Sequence, residues 1–408
     1  MNESPTVVER AASAPAEPEG QVLRRRRALT GEGEFALLPV IAMLVLICVV
    51  FQVQNSHFLS PANLSNLLAQ IAAMGLIATG VVLVLLVGEI DLSVGVVSGL
   101  AAAIAVVLNI DHGVPGWLSM LLGLGVGAGV GLVTGIFVTR FKVPSFVVTL
   151  AGLLAWQGVL LAVLGTTGSL NVADETMLKL ASTYYGDTVG IVIGVVVVAA
   201  FAAAVLLHAV RRSRAGLHAA SPARMALQIG AVAVVVLGTV LILNSARGVP
   251  LSLLILVGVI AVVDVVTRKT TFGRHVFAIG GNEQAARRAG IHVARVKIAV
   301  FMLAATLAAA GGMLAAGRLL AVTTASGGGD LLLNAIAAAV IGGTSLFGGR
   351  GSAWSALLAA LVIGGISNGM DFLAVQSSTK YIVTGVVLLA AVTFDAMARE
   401  RYRTSDEG

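Results

Sequence analysis

The hydrophobic positions of this chain form long apolar runs separated by short polar connections. The runs cover residues 35–51, 66–88, 94–110, 116–139, 145–164, 188–210, 225–243, 251–266, 298–316, 331–343, 353–369 and 381–396. Most have about the length that a helix needs to cross the hydrocarbon core of a bilayer. They lack the alternation of a half-buried strand, so helices are the expected way to satisfy their backbone in lipid.

Two of the runs, 94–110 and 331–343, are short for a full crossing. We interpret them as half-helices or re-entrant segments. The pattern therefore predicts an all-α, polytopic integral membrane protein with ten to twelve transmembrane helices, some of them broken or re-entrant.

Composition supports this class. The chain of 408 residues is 58% hydrophobic and only 11% charged, which is typical of a polytopic membrane protein and excludes a soluble domain with a large core. Its single cysteine, Cys48, excludes an intramolecular disulfide. The net charge of +6 is divided among loops, so it does not indicate a nucleic-acid partner.

The positive charges predict an orientation. If all twelve runs cross and the chain starts inside, only Lys179, Arg247, Arg318 and Lys380 of the 26 Lys and Arg residues fall outside. This is a strong positive-inside bias. Both termini and segment 267–297 are therefore expected in the cytoplasm.

The two ends of the chain differ from its apolar middle. Residues 1–34 are rich in Ala, Pro and Glu and then basic, which predicts a disordered cytoplasmic tail. The basic stretch before run 35–51 is similar to a signal peptide, but the apolar part is too long and no small-x-small site follows, which favours an uncleaved anchor. We expect a transmembrane domain over 35–396 and a cytoplasmic tail over 397–408.

Small residues recur inside one run at helical spacing. Gly123, Gly127 and Gly131 stand four residues apart, and such spacing lets helix backbones approach closely in lipid. Tight packing inside the bundle is favoured over contact with a substrate.

Segment 267–297 is the longest polar stretch between two apolar runs and carries seven Lys and Arg residues. Asn282 is placed to cap a short helix, with Glu283 at its positive end, Arg287 at its negative end and Gly290 as its stop. Such a helix is marginal in water when isolated. Two interpretations stay open: an ordinary loop, or a docking helix that becomes rigid on a partner protein.

Two polar interruptions break the apolar pattern at similar places in the two halves. One is Glu89 to Ser93, and the other is Gly342 to Gly351. Paired broken helices in two halves indicate a transport pathway. Helix capping is the alternative for Asp91 and Ser93, and a tight turn is the alternative for the second interruption.

Several kinds of site are excluded or disfavoured. No Gly-Lys-Ser/Thr occurs in the chain, so a phosphate loop is excluded. The Gly-x-Ser-x-Gly pattern at 365–369 lies in an apolar helical run, which disfavours a hydrolase. The histidines lack metal-ligand spacing. The run interiors hold essentially no charged residues, which argues against proton- or ion-coupled transport and suits an uncharged solute.

Four stretches carry a resemblance to a known family: EIDLSVG (89–95), VPSFVVTLAG (143–152), GRHVFAIGGNEQAARRAGI (273–291) and AIAAAVIGGTSLFGGRGS (335–352). The chain resembles the membrane-spanning permease subunits of bacterial ATP-binding-cassette sugar importers, of the ribose/xylose type. The resemblance covers nearly all of 35–396. It is similar to the xylose branch in Glu89 and in an added section near 205–250.

The resemblance implies a permease of the bacterial plasma (inner) membrane that imports a monosaccharide, with D-xylose as the expected solute. It implies a cytoplasmic ATPase subunit, an extracellular or periplasmic sugar-binding protein and a second permease copy as partners. ATP and Mg are expected on the ATPase, so this chain needs no cofactor or metal and is not an enzyme by itself. A self-sufficient secondary transporter or channel for a small neutral solute is the alternative.

The resemblance also assigns roles to residues. The coupling contact with the ATPase is expected at Asn282, Glu283, Ala285, Ala286, Arg287 and Gly290. Separately, the two interruptions and the need of an uncharged solute for hydroxyl and amide groups lead us to expect gate or pathway roles at Glu89, Asp91, Ser93, Asn334, Thr344 and Ser345. At Asn334 the chain departs from the family, which usually has Asp there, so a charge-based role is not carried over.

Overall fold

The computed structural model describes residues 38–216, 221–387, 389–390 and 393. Its helices are α1 (Leu38–Gln54), α2 (Pro61–Leu86), α3 (Val94–Ile110), α4 (Gly116–Arg140), α5 (Ser145–Leu164), α6 (Glu175–Ser182), α7 (Asp187–Arg214), α8 (Pro222–Asn244), α9 (Leu251–Lys269), α10 (Thr271–Gly281), α11 (Glu283–Arg288), α12 (Val293–Leu319), α13 (Asp330–Ile341) and α14 (Ala353–Phe372). Residues 377–387 are also helical. The predicted tails, 1–34 and 397–408, lie outside the described residues.

Eight of the described helices are long and apolar enough to cross a membrane. They are α2, α4, α5 with the 3₁₀ turn that follows it, α7, α8, α9, α12 and α14. Three shorter apolar helices accompany them at Val40–Gln54, Val94–Ile110 and Leu331–Ile341. The prediction of an all-α polytopic membrane protein with some short helices is confirmed.

Helix α12 lies at the centre of the bundle and packs against α2, α3 and α4. Glycines make the contact with α4 close: a Cβ added at Gly127 would lie 2.6 Å from the carbonyl oxygen of Ala305, and one at Gly131 would collide with that of Phe301. Gly125 and Gly129, on the opposite face, have open space around them. The glycine spacing therefore serves helix packing, as predicted.

Two short antiparallel ribbons join connections between the helices. Strand β1 (Ser169–Asn171) pairs with β4 (Ala321–Thr323), with Leu170 opposite Val322. Strand β2 (Tyr184–Tyr185) pairs with β3 (Val249–Pro250). Only Leu320 separates strand β4 from the end of α12, a helix about 40 Å long at 1.5 Å per residue. The β1–β4 ribbon is therefore at the opposite end of the bundle from the start of α12.

Helices α7 and α8 form a hairpin at the edge of the bundle. They pack against each other, while most of their apolar side chains are exposed. The amide of Asn244 donates to the carbonyl of Asp187 at 2.9 Å and joins the two helices at one end. Their exposed apolar surface is suited to lipid.

Candidate functional site: the gate and coupling end of the bundle

Four segments far apart in sequence meet at the end of the bundle where α12 begins. They are the α2–α3 connection at 87–93, the first turn of α5, the segment 280–290, and the loop 342–352. These segments overlap the four stretches that the sequence analysis singled out. We call this region the coupling end.

The α2–α3 connection carries Asp91 and Ser93. One carboxylate oxygen of Asp91 accepts from the Ser93 backbone N–H at 2.8 Å and from the Ser93 hydroxyl at 2.6 Å. Both side chains are buried. Burial raises the pKa of the Asp91 carboxyl, and the hydrogen bonds from Ser93 oppose that rise. Ser93 itself makes no side-chain cap for α3, so Asp91 holds the turn before the helix.

Helix α5 fixes this connection from the side. The hydroxyl of Ser145 accepts from the backbone N–H of Ile90 at 3.2 Å, and the hydroxyl of Thr149 donates to the carbonyl of Ile90 at 3.4 Å. Both hydroxyl residues are buried. Because both hydroxyls bond the backbone of Ile90, they restrain the path of the loop between α2 and α3.

Three backbones meet at Gly280, near the end of α10. The backbone N–H of Gly349 donates to the carbonyl of Leu86 at 3.0 Å. A Cβ added at Gly280 would collide with that carbonyl and lie 2.5 Å from the nitrogen of Gly349. Only a residue without a side chain allows this approach. The end of α2, the end of α10 and the second interruption are therefore in direct contact.

Helix α11 is short, capped and largely exposed. The Asn282 side chain accepts from the backbone N–H of Ala285 at 2.9 Å, as predicted for its N-cap. Gly290 has φ +83°, the left-handed conformation that ends a helix. Ala285 is exposed, whereas Ala286 is buried. Ala286 thus seats α11 on the bundle, and Ala285 faces outward.

An ion-pair chain runs from α11 into the bundle. The carboxylate of Glu283 accepts from Arg287 at 2.8 Å and from the Lys297 ammonium at 2.7 Å. The same ammonium lies 2.5 Å from the carboxylate of Glu89. The hydrogen bond from Lys297 holds the pKa of Glu283 below its usual range, with a smaller contribution from Arg287. Glu89 and Glu283, predicted for different roles, therefore share one cation.

The loop 342–352 holds two further predicted residues. Thr344 and Ser345 are both buried, and the Thr344 hydroxyl has no hydrogen-bond partner among the described residues. The Ser345 hydroxyl accepts from the backbone N–H of Phe347 at 3.2 Å. The Ser352 hydroxyl pairs with Arg268 from the end of α9. This loop is a tight turn that also contacts α2 and α10.

Asn334 is separate from the other predicted pathway residues. It lies in the second turn of α13, about 12 Å along the helix axis from Gly342 at 1.5 Å per residue. It is half-buried. The structure therefore brings Glu89, Asp91, Ser93, Thr344 and Ser345 to the coupling end and leaves Asn334 nearer the middle of the bundle.

The sequence analysis did not single out Lys297, Gly280 or Ser145. Lys297 was counted only as one of many inner cations. A possible signal was its position at the start of an apolar run, where its charge requires a partner. Gly280 and Ser145 stood within the recognised stretches, yet their contacts join residues far apart in the chain.

Metal-ligating side chains do not cluster in the described part of the chain: no group of three or more His, Cys, Asp or Glu there could hold a metal ion. At the coupling end the carboxylates instead bond Lys297, Arg287 and Ser93.

Comparison with known proteins places this geometry in a family. The model of the family described as "Branched-chain amino acid transport system / permease component" matches residues 63–392. Similar relatives include the xylose transport system permease protein XylH of Escherichia coli (strain K12), 38% identical over 89% of this chain and 92% of that protein. The ribose import permease protein RbsC of Bacillus subtilis (strain 168) is 32% identical, covering 88% and 91%.

The Haemophilus influenzae XylH protein is 37% identical over 89% of this chain and 98% of its own length. No solved structure matches the chain. The family model covers most of the chain, including all four segments of the coupling end. The chain therefore belongs to the family of multi-pass membrane permease components of transport systems, whose members are transport subunits and not enzymes.

Proposed function

We propose that this chain is the membrane-spanning subunit of an ATP-binding-cassette importer that carries D-xylose across the bacterial plasma membrane. The observation that carries the proposal is the similarity to xylose and ribose permeases over almost their whole length. The relatives named for xylose are more similar in sequence than the one named for ribose, which favours xylose.

The distribution of charge in the bundle suits an uncharged sugar. The charged residues of the long helices lie near their ends, as Lys297, Arg318 and Asp371 illustrate. A buried charge inside the membrane is costly and usually marks an ion or proton path. A neutral solute needs hydroxyl and amide groups instead, and the proposed path therefore includes Thr344, Ser345 and Asn334.

The coupling end is proposed to receive a cytoplasmic ATPase. Helix α11 presents Ala285, Arg287 and Arg288 outward while Ala286 holds it to the bundle. Energy from ATP hydrolysis on the ATPase would move α11. This helix is linked through Lys297 to the first interruption, and it directly follows Gly280 and Gly281, which contact the second. Two conformations of the bundle would then alternate, with nucleotide and sugar biasing their populations.

The remaining partners follow from the same proposal. A sugar-binding protein would deliver the solute at the end that carries the two ribbons, and a second copy of this chain would complete the path. The coupling end and both termini would face the cytoplasm, since nearly all Lys and Arg residues fall on that side. ATP and Mg would bind the ATPase subunit and not this chain.

The test is sugar uptake in cells that lack their own pentose importers. The cells express the ATPase subunit and the binding protein, with or without this chain, and receive labelled xylose, ribose, arabinose or glucose. We expect xylose to accumulate only with the chain and in preference to the other three. An ATPase unable to hydrolyse ATP is the matched control. Equal xylose accumulation with and without the chain would contradict the proposal.

A further inference from the structure

The ion-pair chain at the coupling end connects two parts of the molecule that the proposed function treats separately. It runs from Arg287 through Glu283 and Lys297 to Glu89. Arg287 and Glu283 belong to α11, the helix proposed to receive the ATPase. Glu89 belongs to the α2–α3 connection, the first interruption of the apolar pattern, and it lies 208 residues from Lys297 in sequence.

Exposure falls from Arg287 to Lys297 and is low at Glu89. The side chains are 67% exposed at Arg287, 40% at Glu283, 10% at Lys297 and 15% at Glu89. Exposed pairs are weak because water and salt screen them, whereas a buried cation depends on its partners. Lys297 is therefore the central member of the chain. If it is removed, the largely buried carboxylate of Glu89 loses the cation that compensates its charge.

Position strengthens this point. Lys297 stands in the first turns of α12, the helix at the centre of the bundle. Its ammonium reaches one carboxylate on each of two flanking segments, at 2.5 Å and 2.7 Å. The backbone of 88–93 is also restrained by Ser145. A displacement of α11 that carries Glu283 would thus pull on Lys297, and through it on Glu89.

Resting on the proposed function, we propose that Lys297 is a positioning residue that couples movement of the ATPase-docking helix α11 to the α2–α3 connection. It touches neither sugar nor ATP. One ammonium group holds both carboxylates, so the two segments move together. Loss of that group separates ATP hydrolysis from transport, while α11 keeps its cap and its exposed face.

The experiment uses the full complex reconstituted in vesicles, with permease, ATPase and binding protein. It measures labelled xylose transported per ATP hydrolysed for the wild type, Lys297→Gln, Lys297→Arg and Glu89→Gln. Lys269→Gln is the matched control, because Lys269 is an exposed lysine at the last residue of α9 and belongs to neither α11 nor the ion-pair chain. ATPase co-purification and the melting temperature are recorded for each variant.

For Lys297→Gln we expect transport per ATP to fall about tenfold or more, which corresponds to a coupling energy of about 1.4 kcal/mol, while ATPase co-purification is unchanged. Glu89→Gln should give a similar fall. The double variant Lys297→Gln with Glu89→Gln, measured in the same way, should be no worse than either single variant, because all three remove the same bridge. Lys297→Arg should retain part of the coupling. Lys269→Gln should match the wild type.

Hydrogen exchange gives a readout that does not depend on the sugar. In the wild type, ATPase binding should increase the protection of amides 88–93, and in Lys297→Gln this increase should disappear although the ATPase still binds. Wild-type transport per ATP and an unchanged protection increase in Lys297→Gln would overturn the inference. A fall in transport per ATP that is explained fully by lost ATPase binding would also overturn the inference. If the wild-type complex shows no ATP-driven xylose uptake, the proposed function fails first, and the inference falls with it.

Discussion

At the scale of single residues, close backbone contact at Gly280 joins three segments of the coupling end. The carbonyl of Leu86 and the N–H of Gly349 form a hydrogen bond directly beside Gly280. The adjacent glycine, Gly281, is exposed and has open space where a Cβ would point. The two positions therefore differ in packing although they are neighbours in the chain.

We predict that Gly280→Ala destabilises the protein by about 1–3 kcal/mol, the usual cost of forcing an extra methyl group into a packed site. The α10–α2 contact should open, and sugar uptake should fall with it. Thermal unfolding in detergent and uptake in cells measure the two effects.

Gly281→Ala is the control for this prediction. A surface substitution usually changes stability by no more than about 0.5 kcal/mol, so uptake and melting temperature should remain close to the wild type. Equal behaviour of the two variants would contradict the role given to Gly280.

Residue-level features of α11 could be predicted where they depend on local chain chemistry. The Asn282 cap and the Gly290 stop involve groups within a few residues of one another. The Lys297–Glu89 pair spans 208 residues, so its existence depends on the tertiary fold and not on any local pattern. The same holds for the bond between Ser145 and Ile90.

At the scale of elements, α11 is stabilised by its attachment to the bundle. Six residues form too short a helix to persist alone in water. The Asn282 cap, the burial of Ala286 and the Glu283–Lys297 pair each fix it in place.

The faces of α11 give the next prediction. Ala285→Arg places a long charged side chain on the exposed face, where it should block the ATPase without disturbing the fold. Ala286→Arg places the same side chain in a buried position, and burying an unpaired charge is strongly unfavourable. We expect Ala285→Arg to lose ATPase co-purification with a near-normal melting temperature.

Ala286→Arg should lower the melting temperature as well as ATPase binding. Ala285→Arg and Ala286→Arg are informative together because the substitution is identical and the positions are adjacent. Normal ATPase co-purification and uptake in Ala285→Arg would show that α11 does not form the docking contact.

The hydrophobic pattern predicted where the helices lie better than it predicted where they begin and end. Run 94–110 matches α3, whereas run 66–88 begins five residues after the actual start of α2 at Pro61. There the Ser60 side chain accepts from the N–H of Asn63 and sets the helix start. The apolar pattern does not record a polar cap, so the first turn was missed.

Two helices, α6 and α10, were not predicted. Helix α10 lies inside the polar segment 267–297, and its buried positions, Gly273, Val276 and Ile279, recur every third residue. This spacing marks one face of a helix. The dense positive charge of the segment obscured it, and the capping hydroxyl of Thr270 was the remaining local signal.

At the scale of the whole molecule, the bundle has two distinct ends. One is the coupling end, with the ion-pair chain and the two interruptions. The other carries the ribbons formed by β1 with β4 and by β2 with β3. Segments that the positive-inside pattern assigned to one side of the membrane thus lie together in space. Which side is cytoplasmic stays a prediction from that pattern.

The central claim is that the chain supplies a path and a coupling contact, and that a separate ATPase supplies the energy. The direct measurement compares vesicles that contain this chain alone with vesicles that also contain the ATPase subunit, the binding protein and ATP. The account predicts that labelled xylose accumulates against its gradient only in the complete system. Accumulation by the chain alone would contradict it and would favour a self-sufficient secondary transporter.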